Sequence, residues 1–176
     1  MYGHVDGPKH WASHIDLLRN IQKETGGFTE LVPLSFVHTN SPLYNNDPEN
    51  VRPGPSVSEV DLMHAVSRIM LHGWIDNIQV SWTKLGAQKA QSILSCGVND
   101  FGGTLMNESI SRAAGSIHGQ EFEANRMENF IRSSERSPQL RNTVYESIQP
   151  RENLDKSYDL SMAYMQTFLD SAHPVI

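Results

Sequence analysis

A single cysteine, Cys96, stands in 176 residues. That excludes an internal disulfide and any metal site built from a cysteine cluster within the chain, and it fits a reducing, intracellular and cytoplasmic setting. No apolar run approaches the roughly 20 residues that span a bilayer. The opening MYGHVDGPKHW lacks both a charged leader and an apolar stretch, so no signal peptide is visible. Basic residues are in the minority. Fourteen Lys and Arg stand against 20 Asp and Glu, a net charge of −6, and the basic ones are scattered rather than gathered into a stripe. Such a chain offers no field to attract nucleic acid or an anionic membrane. No internal repeat is present.

What remains is an alternation of short apolar runs with amphipathic helices. Pro8 sits where a helix can begin; Trp11, Ile15, Leu18 and Gln22 share a face, and Gly26 and Gly27 stop it. Residues 28–38 (FTELVPLSFVH) predict a strand. A loop rich in Asn, Pro and Gly follows over 39–55. Ser56 and Glu59 have capping-box spacing, and Leu62, Met63, Val66, Ile69 and Met70 mark a helical face that ends at Gly73. Residues 77–82 (NIQVSW) predict a second strand, with Ile78, Val80 and Trp82 pointing one way and Asn77, Gln79 and Ser81 the other. A helix over 88–94 leads to a third strand at 97–101, then helices near 109–114 and 121–131. Residues 133–153 are polar, turn-rich and expected to be weakly ordered, with a terminal helix at 154–170.

Strict alternation of strand and helix predicts a parallel sheet with crossover helices, whose function gathers at the C-terminal strand ends. Polar residues sit at several such ends: His4, His38, Gln79 with Lys84, and Asn99 with Asp100. The polar alternate positions of 77–82 suit the inward face of a barrel strand. Gly102 and Gly103 then precede Thr104 and a helix, an order that can hold an anion on exposed N–H groups, or simply make a tight turn. Asn107 and Glu108 lie before a helix, where Glu108 could bind a ribose hydroxyl, accept a proton or cap the helix. His118, between glycines, is either a functional or an exposed loop histidine. His10 and His14 have metal-ligand spacing, but no glutamate lies between them and solvated helix-face histidines fit as well. Cys96 reads as a small buried hydrophobe.

Four blocks in order, MYGHVDGPKHWASHI, ETGGFTELVPLSFVH, NIQVSWTKLG and GVNDFGGTLMNESISRAAGSIHGQE, resemble the radical S-adenosylmethionine enzymes of the FO synthase type. The likeness is to their tyrosine-using subunit, the 5-amino-6-(D-ribitylamino)uracil–L-tyrosine 4-hydroxyphenyl transferases of coenzyme F420 (deazaflavin) biosynthesis. It extends to about Tyr145, where SPQLRNTVYE still resembles the family's tail. The aminofutalosine synthases of menaquinone biosynthesis are similar, particularly around MYGH and ETGGF.

The resemblance implies a TIM-type (β/α) barrel, a [4Fe–4S] cluster held by a CxxxCxxC loop, and S-adenosylmethionine. It implies transfer of the 4-hydroxybenzyl group of tyrosine to 5-amino-6-(D-ribitylamino)uracil after an adenosyl radical abstracts hydrogen from tyrosine. The cluster loop has no counterpart here. The expectation is therefore an α/β second half of the barrel, strands five to eight over residues 1–132, with a C-terminal extension over 133–176. Its partner would be the missing N-terminal half or a second copy, and alone it would be inactive. The expected substrate surface comprises His4, His38, Gln79, Lys84, Asn99, Asp100, Gly102, Gly103, Thr104 and Asn107, with Glu108 and His118 for proton movement. A non-catalytic binding module or remnant is the remaining alternative.

Overall fold

The computed structural model describes residues 1–105 and 108–148. The expected helix over 154–170 lies outside the described residues. Four short extended segments alternate with helices: Tyr2, residues 31–35, residues 78–79 and Asp100. Between and after them run α1 (Pro8–Thr25), α2 (Pro42–Asn46), α3 (Val57–Leu71), α4 (Trp82–Leu85), α5 (Ala87–Ile93), α6 (Ser109–Ala113) and α7 (Ala124–Arg132).

Local chemistry sets the two long helices. Pro8 opens α1 and Gly26, left-handed at φ 59°, closes it. The capping box of α3 forms as its spacing requires: Glu59 N–H donates to Ser56 Oγ at 3.3 Å, and Ser56 N–H donates to Glu59 Oε2 at 2.7 Å. Of the apolar face expected on α3, Met63 is buried, while Leu62 and Ile69 are 60% and 77% exposed. The period is right but the stripe is rotated, because Val60, His64, Ser67 and Leu71 also face inward. His64 is fully buried and shares a 2.8 Å hydrogen bond with the Val60 carbonyl; burial pushes its pKa down, so it sits in the core as a neutral ring.

The extended segments pair in sequence order and all in parallel: Tyr2 with Ser35, Leu31 with Ile78, Gln79 with Asp100. Each pairing is a single bridge, much shorter than the strands expected over 28–38, 77–82 and 97–101. Pro33 interrupts the first, since it has no N–H to donate. Trp82 leaves the second to start α4. In the third, the chain is still in a tight 3-10 turn at Leu94–Cys96 and is left-handed at Gly97.

Side-chain alternation holds over 77–80 and then stops, because Ser81 is the N-cap residue of α4 and is buried beside Thr83. Ile78 and Val80 are fully buried and Trp82 nearly so, in a core with Val60, Ala90, Ile93, Val98, Phe101, Phe122 and Met127. A second core joins Tyr2, Trp11 and Ile15 to Met63, Leu71 and Ile75. Helices α1, α3, α5 and α7 thus bury the apolar side of the extended segments. Cys96 packs half-buried against the larger core, with burial raising its thiol pKa. Among the described residues no helix is long and apolar enough to cross a membrane.

Ile78 has no exposed surface at the centre of the larger core. Ile78→Ala should therefore lower the unfolding free energy by about 2–5 kcal/mol. Denaturant titration would read this, and a loss below about 1 kcal/mol would mean that the core is not closed around it.

Candidate functional site

The side of the extended segments opposite the cores is polar, and there the structure gathers five side chains. Gln79 alternates away from Ile78 and Val80. Asp100 reaches the same side through a local irregularity. The N–H groups of both Asn99 and Asp100 converge on the Ile78 carbonyl, at 3.2 and 3.3 Å, so one extra residue is accommodated there. Val98 and Phe101 can then both enter the core while Asp100, 9% exposed, faces away from it.

The Asp100 carboxylate is fully engaged. Its Oδ1 accepts the Gly102 N–H at 2.9 Å. Its Oδ2 accepts from the Arg141 guanidinium and, at 2.7 Å, from the Tyr145 hydroxyl. Arg141 also reaches Gln79 Oε1 at 3.3 Å and lies 4.1 Å from the centre of the Tyr145 ring. The Tyr145 hydroxyl is also within hydrogen-bond reach of the Glu30 carboxylate, and its one proton serves one of the two carboxylates at a time. Burial opposes the Arg141 charge, but its bond to Asp100 more than offsets this and raises its pKa. Burial and the two carboxylates push the Tyr145 phenol well above its usual range.

Arg141 and Tyr145 belong to a short turn closed by an antiparallel bridge between Arg141 and Ser147. Ile148 N–H donates to the Leu140 carbonyl at 2.9 Å. This part of the polar segment expected to be weakly ordered is therefore tied down.

A second group forms where α4 follows residues 78–79. Lys84 lies on α4. Glu108 is the N-cap of α6, accepting from Ile110 N–H at 2.8 Å and Ser111 N–H at 2.8 Å. Partial burial works against its ionisation, but these hydrogen bonds and the nearby Lys84 hold its carboxyl below the ordinary range. Glu108 N–H donates to the Gly119 carbonyl at 3.1 Å, which brings the His118 loop alongside. The His118 imidazole lies over Gly86, 2.8 Å from where a Cβ there would stand, so only glycine (φ 78°) permits the approach. His118 also lines a cavity of about 200 Å³ with Trp82, Gln120, Phe122 and Arg126.

The other expected residues are placed apart. His4 Nδ1 donates to Asp6 at 2.5 Å, and Asp6 also accepts from the Trp11 indole and Gly3 N–H. Burial disfavours the Asp6 charge, but these donors hold its pKa well below the carboxylate range. His38 stacks edge-on against Tyr44, ring centres 4.8 Å apart. Asn99 Oδ1 accepts from Ile78 N–H at 2.9 Å and from Arg68 at 2.7 Å, so it ties two segments together. Gly103 contributes its carbonyl to the Trp82 indole at 3.0 Å, and Thr104 is half-buried beside it. Asn107 lies outside the described residues.

The helix after the Gly102–Gly103 turn begins at Ser109, as expected, and Glu108 occupies N–H groups at its start. The Gly102 N–H is likewise taken by Asp100. An anion cradle at that point is thus already filled by the chain's own carboxylates. Glu30, Arg141 and Tyr145 escaped sequence reasoning, because nothing local marks residues whose contacts span 41 to 115 positions of chain. The one signal was the family-like tail SPQLRNTVYE.

The chain does not fit a [4Fe–4S] cluster. That group needs thiolates from several cysteines, and Cys96, the one cysteine, has its thiol pKa raised beside the core. Among the described residues no group of three His, Cys, Asp or Glu could hold a metal ion, the pair His10 and His14 included.

Comparison with known proteins matches residues 25–154 to the family described as the CofH/MqnC C-terminal region. The FO synthase of Mycobacterium tuberculosis is 60% identical over 119 residues, covering 68% of this chain and 14% of that protein. The 5-amino-6-(D-ribitylamino)uracil–L-tyrosine 4-hydroxyphenyl transferase of Methanococcus maripaludis is 51% identical over 150 residues, covering 85% of this chain and 41% of the relative. That of Methanopyrus kandleri is 49% identical over 148 residues, covering 84% and 40%. The chain thus spans less than half the length of these relatives.

Removing the N-cap, in Glu108→Ala, should lower stability by about 1 kcal/mol. Because the folded carboxyl sits below its ordinary value of 4.5, the Glu108 contribution is present above that pH and is lost as pH falls through the lower folded value. Wild type and variant should therefore differ in urea midpoint at pH 7 and converge towards pH 3. A difference that persists undiminished at pH 3 would contradict the capping role.

Proposed function

The chain belongs to the CofH/MqnC C-terminal family, and on that premise we propose that it is the substrate-side half of a radical S-adenosylmethionine barrel of the FO synthase type. Residues 1–132 would supply strands five to eight and residues 133–176 an extension. The whole enzyme would transfer the 4-hydroxybenzyl group of tyrosine to 5-amino-6-(D-ribitylamino)uracil in F420 biosynthesis, as the relatives' names describe. One observation carries this reading: the extended segments pair in parallel and in sequence order, with apolar side chains towards the helices and Glu30, Gln79 and Asp100 on the other side. A doubly wound sheet would need both sides apolar, whereas a barrel strand turns one side inward and can make it polar. The relatives with the aminouracil–tyrosine transferase name, at about half identity over most of the chain, favour FO synthase over an aminofutalosine synthase.

Within that barrel the chain's own residues bind and orient. Lys84 is the group for a substrate carboxylate, and His118, on the wall of the adjoining cavity, is the group to move a proton. Glu108 fixes the start of α6 through its carboxylate, while its backbone N–H holds the His118 loop through the Gly119 carbonyl. His4 and His38, at the ends of the first two segments, and Gly102, Gly103 and Thr104 extend the substrate surface away from that cavity. Gln79 and Asp100 shape the polar face from beneath, and Asn99 braces them by joining Ile78 to Arg68 of α3. The cluster and S-adenosylmethionine fall to protein outside these 176 residues, either a preceding half-barrel or a second chain, and no step of the radical chemistry is assigned to this one.

Anaerobic reconstitution followed by iron and sulfide analysis tests the division of labour. The chain alone should retain no stoichiometric cluster and form no product from tyrosine and the aminouracil. A stoichiometric cluster on this chain would overturn the proposal.

A further inference from the structure

The turn that carries Arg141 and Tyr145 lies far along the chain from the segments it touches, yet its two side chains contact polar groups of three of them. The Tyr145 hydroxyl lies between Glu30, just before residues 31–35, and Asp100 and shares its single proton between them, while Arg141 bonds both Gln79 and Asp100. Tyr145 is held at φ 64°, a left-handed conformation that a bulky residue adopts only when its surroundings impose it. The turn's own hydrogen bonds, Asn142 N–H to the Glu146 carbonyl at 3.0 Å and Tyr145 N–H to the Asn142 carbonyl at 3.2 Å, account for its shape. They do not account for a charged and a phenolic group both aimed at one carboxylate.

Asp100 is where this contact acquires a consequence. Its two oxygens divide the work. Oδ2 takes the tail; Oδ1 takes the Gly102 N–H at 2.9 Å. Gly102 is left-handed at φ 82° and lies against the Gln79 amide, 3.1 Å from where a Cβ would stand. The carboxylate therefore links the tail to the turn over 102–104, the chain that leaves the last extended segment towards α6. If Oδ2 loses its donors, the carboxylate is free to rotate about its side-chain torsions and the Gly102 N–H loses a charge-assisted acceptor.

We propose that Arg141 and Tyr145 are positioning residues: acting through Asp100, they lock the Gly102–Gly103 turn in the conformation it presents on the substrate side. This rests on the half-barrel reading for what the turn meets, but not for the lock itself. Arg141 supplies charge and Tyr145 direction, so the two are not interchangeable. Asp100, with both oxygens committed inside the chain, holds the turn rather than a ligand.

Amide hydrogen exchange on the intact chain, resolved at Gly102, tests the lock without reference to activity. Arg141→Ala should speed exchange at Gly102 about tenfold or more, while the Val80 and Leu71 amides change by less than about twofold. Arg141→Lys, which keeps the charge, should restore part of the protection. Tyr145→Phe, which removes one hydroxyl, should speed Gly102 by a smaller factor; it also decides the matter if Arg141→Ala fails to fold. Unchanged exchange at Gly102 in Tyr145→Phe and Arg141→Ala would overturn the proposal. So would an equal acceleration at Gly102, Val80 and Leu71, which would show only a general loss of stability. A lock that holds while no product is ever formed would leave the positioning role standing and count against the half-barrel function alone.

Discussion

Parallel pairing of short extended segments is the constraint on which the rest of the molecule depends. A parallel neighbour cannot be reached by a tight turn, so each pairing requires a crossover, and each crossover here is helical. With bridges only one residue long, backbone hydrogen bonds hold little by themselves. The segments are kept in register by what packs behind them: Ile78 and Val80 against Val60, Ala90 and Ile93, and Tyr2 against Trp11 and Ile15. The apolar side is thereby used up by helices. The polar side and the segment ends carry the candidate site.

Much of that frame was legible in the sequence because it is encoded locally. Pro8 and Gly26 bound α1, Ser56 and Glu59 cap α3, and the alternation from Asn77 to Val80 divides core from polar side by itself. What was not legible depends on contacts distant along the chain. Trp82 has strand character, but Phe101 and Phe122 draw it into the core from the start of a helix. Leu62 and Ile69 fit a helical period yet stay exposed, because the direction from which α3 is covered is fixed by other elements. Glu108 and Asn99 are the residue types that bind substrates. They are equally the types that satisfy bare N–H groups, and here the structure uses them so. Asp100 could be singled out as a polar residue at a segment end, but not its partners Arg141 and Tyr145.

The candidate site accordingly separates into parts with different duties. Around Asp100 both carboxylate oxygens are engaged within the chain, which suits a scaffold that must keep a turn still. Beside His118 a cavity remains open, which suits the recognition of small polar substrates. Under the proposed function this arrangement is a surface that aligns reactants, paired with radical chemistry seated elsewhere. The single cysteine is the plainest mark of that separation.

Complementation measures the central claim most directly. The chain would be mixed anaerobically with a separately produced half-barrel carrying a CxxxCxxC loop, and the mixture examined by native mass spectrometry and for product from tyrosine and 5-amino-6-(D-ribitylamino)uracil. The account requires a one-to-one complex that forms product, which neither chain forms alone. Absence of any complex, or a complex that holds its cluster yet forms no product, would contradict it.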